Sequence, residues 1–64
     1  MKNDTMSTCR RLLGKKVVLA LASGREMTGL LTEVTAGSDA VVETRSAVVC
    51  IPMHSIAAVH EVAS

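Results

Sequence analysis

No phenylalanine, tyrosine or tryptophan occurs anywhere in this chain of 64 residues, and that absence constrains its fold more than any single motif does. Aromatic side chains normally make the largest single burials, roughly 150–250 Å² each. A core of Val, Leu, Ile, Ala and Met must gather the same area from many small contacts. A domain of this length also buries only about 60% of the surface of its unfolded chain, so its own core is marginal. Disulfides, a metal or further copies of the chain are the usual supplements. Cys9 and Cys50 are the only cysteines. They are too few for a secreted disulfide framework and read as reduced thiols in a cytoplasmic setting. Association of copies is therefore the expected supplement.

Residues 1–64 read as one domain. Asp4 to Leu13 predicts a short helix, with Asp4 able to cap the first turn and Gly14 able to end the last. Met6, Cys9 and Leu13 recur at helical spacing and form a narrow apolar stripe. So short a helix does not persist alone in water and has to lie on the rest of the domain.

From residue 15 to 62 the pattern is that of strands. Val17, Leu19 and Leu21 alternate with Val18, Ala20 and Ala22, which predicts a strand covered on both faces. Ser23-Gly24 then supplies a two-residue turn into a second strand over Arg25 to Thr35. In that strand Met27, Gly29 and Leu31 keep period two, but Val34 follows three positions later. The change of phase predicts a bulge or sharp bend, and Gly29 is where a curved strand can fold over itself. Thr35 to Asp39 is a loop by composition, Ala40 to Thr44 a third strand and Ala47 to Ile51 a fourth. Pro52 is expected to break the ladder, His54-Ser55 to turn the chain, and Ile56 to Val62 to form a fifth strand.

The fourth strand, Ala47-Val48-Val49-Cys50-Ile51, has no charge and no proline. An exposed edge of that kind is an aggregation site, so it is expected to be paired. The edge of a neighbouring copy is the partner most readily imagined, and head-to-tail repetition of the contact closes a ring.

The stretch from Lys15 to Val62 resembles the Sm and Sm-like family, its bacterial Hfq branch included. Val17-Val18-Leu19-Ala20-Leu21, Gly24, Gly29, Leu31 and Val34 stand in the places of the family's first motif, and Val48 to Val59 is similar to its second. The resemblance implies a mainly β fold, a short N-terminal helix followed by a five-stranded, strongly bent antiparallel Sm-like (SH3-like) barrel. It also implies a homo-oligomeric ring of about five to seven copies. Val48, Val49, Cys50, Ile51, Ala58 and Val59 would then lie at the subunit interface. The family's single-stranded RNA is held at the inner rim, which Gly37, Asp39, Met53 and His54 would occupy here. Asp39 falls where the family commonly has Asn, Thr35 where it has Asp, Pro52 and Met53 where it has Arg and Gly, and Met53 also where the bacterial branch has Lys. His54 coincides with the bacterial His.

Charge is unevenly placed. The net value is only +1, yet Lys2, Arg10, Arg11, Lys15 and Lys16 crowd the beginning. Repeated around a ring, the cluster Arg10, Arg11, Lys15 and Lys16 makes a strong patch for an anionic partner such as single-stranded RNA. On a lone subunit the same bases serve equally well as a solvated helix face. The longest uncharged apolar run, Val17 to Ala22, is too short for a bilayer, and Met1 to Ser7 is too polar for a signal peptide, so no membrane partner is expected. Cys50, His54 and His60 lack paired metal-ligand spacing, and no phosphate loop or nucleophile with an adjacent base is evident. The expectation is a non-enzyme without metal or cofactor. An oligomeric structural or protein-interaction scaffold indifferent to RNA is the alternative.

Overall fold

Strand periodicity, two turn glycines and one phase change in the second strand lay out five strands, and the structure, a computed structural model that describes residues 4–62, contains five in one antiparallel sheet. Lys2, and any structural role for the Asp4 side chain, lie outside what is described. The elements are α1 (Asp4–Arg11), β1 (Lys16–Leu21), β2 (Glu26–Val34), β3 (Asp39–Glu43), β4 (Val48–Pro52), a single 3₁₀ turn (Met53–Ser55) and β5 (Ile56–Glu61). All strand pairs are antiparallel, and the order across the sheet is β4-β3-β2-β1-β5.

The expected barrel does not close. β4 pairs only with β3 and β5 only with β1, so these two strands are the open edges of one sheet. The short 3₁₀ link carries the chain away from β4 and sets β5 on the free side of β1, where it pairs Leu19 with Val59. Closure would need β4 and β5 to pair with each other. The fourth strand, expected to pair with the edge of a neighbouring copy, is an edge within the chain, with Val48 63% exposed and Cys50 also exposed.

The bend sits in β2. Leu31 pairs with Val42, but Glu33 pairs with Val41, so Thr32 is the extra residue of a bulge where the sequence changes phase. Gly29 lies just before it, and a Cβ built there would stand 2.6 Å from Val42 Cγ1 and 2.7 Å from the Glu43 carbonyl oxygen. Only a residue without a side chain lets β3 approach β2 so closely.

The core gathers the inward side chains of the strands and of the 3₁₀ turn. Val17, Leu19, Leu31, Ala40, Val42, Ile51, Met53 and Ile56 are buried there, and α1 covers one end by packing against β2 and β5. Cys9 on α1 is fully buried among them, and burial pushes its thiol pKa up. A neutral, inaccessible thiol reacts slowly. Native protein treated with a thiol-specific reagent should leave Cys9 unmodified until denaturant is added, and rapid labelling of Cys9 in native buffer would show that α1 is not docked.

Four local expectations need correction. The helix ends at Arg11 rather than Leu13, and Leu13 is 42% exposed while Leu12 packs on the core. The amides of Leu12 and Leu13 reach back to Cys9 and Arg10, a tightened last turn that rotates Leu13 outward before Gly14 takes φ +83°. The first hairpin loop has three residues, not two. The Leu21 amide donates to the Arg25 carbonyl and the Gly24 amide to the Leu21 carbonyl, so Gly24, at φ +96°, is the left-handed residue after a turn. β1 is buried on the face of Val17 and Leu19, whereas Val18 and Ala20 on the other face are only partly covered.

Pro52, finally, does not break the ladder; it pairs with Asp39 as the last residue of β4. The Thr44 amide donates to the Ala47 carbonyl at 2.8 Å and the Met53 amide to the Ser38 carbonyl at 2.9 Å. Between these two bonded pairs the ladder alternates, so Val49 and Ile51 turn their amides toward β3, while Val48, Cys50 and Pro52 face outward. A proline is tolerated there because its missing N–H would have pointed away from the sheet.

Candidate nucleic-acid interface

The loop between β2 and β3 is held by its own polar groups. The Thr35 amide donates to the Asp39 carbonyl at 2.9 Å, the Ser38 amide to the Thr35 carbonyl at 3.0 Å, and the Asp39 amide to Thr35 Oγ1 at 3.0 Å. Threonine where the family resemblance has Asp thus performs a loop-closing task through its hydroxyl. Ser38 adopts φ +66°, the only non-glycine residue with positive φ among those described. The 2.9 Å bond from the Met53 amide to the Ser38 carbonyl ties this loop to the 3₁₀ turn.

This tie brings distant residues together. Gly37, Ser38, Asp39, Pro52, Met53 and His54, with Thr5 of α1, line a cleft of about 350 Å³. Asp39 is half-buried, His54 is exposed and Met53 is buried beneath them. Four of the residues expected at the rim, Gly37, Asp39, Met53 and His54, therefore share one concavity. Ser38 and Thr5 are additions to that set. Ser38 is bracketed by two expected residues and could have been inferred from that, but nothing in the sequence places Thr5 beside the loop.

The basic residues lie elsewhere. None of Arg10, Arg11, Lys15 and Lys16 lines this cleft. Arg10 and Arg11 are exposed on the last turn of α1, where the helix dipole favours cations. Lys15 stands 3.9 Å from the Glu61 carboxylate, both side chains half-exposed, an ion pair of little energetic weight. Lys16 lines a second cleft of about 470 Å³ with Thr28, Gly29, Leu30, Glu43, Thr44 and Arg45. The basic character of that cleft is shared with Arg45, a residue remote in sequence from the N-terminal bases.

Val48, Val49, Cys50 and Ile51 lie on the free edge strand β4, and Ala58 and Val59 on the other, β5. Ile51 faces the core at 6% exposure, Val49 and Val59 are partly buried, and Val48, Cys50 and Ala58 are open to solvent. On β5 the Val62 amide donates to the Lys16 carbonyl, and alternation from that pair turns the backbone groups of Val59 and Glu61 outward. Each edge thus offers a short row of unpaired donors and acceptors. His60, on the outer face of β5 opposite Val18, is exposed. Among the described residues no three of His, Cys, Asp and Glu come together as metal ligands, and no helix is long and apolar enough to cross a membrane.

No protein-family model matches the chain, and no curated protein matches it.

Proposed function

We propose that this chain is the subunit of a homo-oligomeric ring of Sm-like architecture that binds single-stranded RNA, with β4 of one copy pairing with β5 of the next. The cleft formed by Gly37, Asp39, Met53 and His54 would hold bases, and Arg10, Arg11, Lys15 and Lys16 would attract the phosphate backbone. The observation that carries this reading is the convergence of two loop segments, far apart in sequence, on one cleft. Two open, mostly uncharged edge strands supply the means of assembly. Two unbonded thiols suit a reducing, cytoplasmic setting.

The test is anisotropy of labelled oligo-U and oligo-A with the purified protein at low and roughly physiological salt. Saturable binding is expected, with the logarithm of affinity falling linearly against the logarithm of salt. Charge-neutral substitutions at Arg10, Arg11, Lys15 and Lys16 should flatten that slope by about 0.7 for each phosphate they leave without a neutralising base. A specific observation also favours the scaffold reading: among the described residues no lysine or arginine lines the cleft, while Asp39 does. A stable oligomer that binds neither oligonucleotide even at low salt would decide for the scaffold.

A further inference from the structure

Asp39 enters the cleft from a fixed backbone. Its amide is held by Thr35 Oγ1, its carbonyl by the Thr35 amide, and Pro52 pairs with it across the ladder. Its half-buried carboxylate has no ion-pair or hydrogen-bond partner among the described residues. An ionised carboxylate accepts through both oxygens and donates nothing. The ligand edge that satisfies it carries two neighbouring donors.

Of the four RNA bases only guanine has such an edge, with N1–H beside the N2 amino group. Uracil sets its one donor, N3–H, between two carbonyl oxygens. Adenine and cytosine each place an acceptor ring nitrogen next to the amino group. Against any of these three a carboxylate oxygen meets a lone pair, and that repulsion rejects the base as effectively as the guanine hydrogen bonds select theirs. We propose that the cleft takes an unpaired guanine base, read through two parallel hydrogen bonds to Asp39. The proposal rests on the cleft being an RNA site and names the base it selects.

Other features of the cleft agree with a base rather than a phosphate. About 350 Å³ is at the small end of ligand clefts and suits one planar group. His54 supplies the only aromatic ring on the cleft wall, and imidazole is among the rings on which bases stack. Among the described residues no lysine or arginine lines the cleft, whereas the Asp39 carboxylate does and repels a phosphate, which favours a base turned in and a backbone passing outside.

The experiment measures affinity for oligo-U strands of equal length carrying a single G, A, C or inosine, at one fixed low salt concentration. The G-containing strand should bind roughly tenfold more tightly than oligo-U, as a good bidentate base contact allows. Inosine keeps N1–H but lacks the N2 amino group and should forfeit most of that gain. Asp39→Asn, which preserves size, should abolish the preference for G over A, C and inosine, with circular dichroism confirming the fold. GMP displacing the G-containing strand where UMP does not would support the same contact independently of the RNA backbone. Equal affinity for all four bases, or an unchanged G preference in Asp39→Asn, would overturn the guanine assignment and leave RNA binding standing. No binding of any strand would overturn the RNA reading itself.

Discussion

Replacing Gly29 with alanine should lower the melting temperature by roughly 10–20 °C. The new methyl group would lie 2.6 Å from Val42 Cγ1 and 2.7 Å from the Glu43 carbonyl oxygen, and the second of these belongs to backbone that pairs with β2 and cannot swing aside. Relieving the clash means pushing β3 away at the bend, an overpacking cost of about 1–3 kcal/mol. A domain of this size holds only about 0.05–0.15 kcal/mol of stability per residue, so the loss is a large share of the whole. Gly37→Ala is the control. Its φ is not positive and its nearest neighbour, Thr35 Oγ1, is at an ordinary 3.8 Å, so it should be neutral or raise stability by about 0.4–1 kcal/mol. Thermal melts of the two variants that coincide would show that β2 and β3 do not approach closely at Gly29.

Cys50→Pro should break the assembly without unfolding the subunit. Cys50 lies between outward-facing Val48 and Pro52, so a proline there removes an amide that β3 does not use. Val49 before it is already in a strand, the conformation a following proline requires. At the edge, the missing hydrogen bond and the ring's bulk should weaken each β4 to β5 junction by about 2 kcal/mol, roughly thirtyfold. Sedimentation velocity should show a ring for the unaltered chain and smaller species for Cys50→Pro at the same concentration, with unchanged circular dichroism. Val49→Pro, which removes an inward amide, should instead unfold the protein. A monomeric unaltered chain, or a Cys50→Pro variant that sediments as the same ring, would remove the edge-pairing model.

Both predictions turn on the two kinds of information the residues carry. Strand positions were legible because period-two runs of Val, Leu and Ala have few other uses in so short a chain, and Gly14 and Gly24 mark turns that need left-handed backbone. The bulge at Thr32 was legible for the same reason, since a phase change of one residue cannot be absorbed in a regular strand. Which residues share a cleft was only partly legible. The family pattern put Gly37, Asp39, Met53 and His54 together, whereas Thr5 arrives through the docking of α1, a tertiary event without local signal.

The sequence alone, then, determined the elements, the bend and its glycine, because these answer to local sterics and to the alternation of side chains along a strand. Tertiary structure decided what those rules cannot reach. It decided that the sheet stays open with β4 and β5 at its edges, because closure depends on where a three-residue 3₁₀ turn sends the last strand. It decided that Pro52 belongs to a strand, because only the ladder's alternation tells which way its missing amide would have pointed. It also separated Leu12 from Leu13, one on the core and one in solvent, because a single tightened turn at a helix end rotates the chain by more than sequence periodicity can resolve.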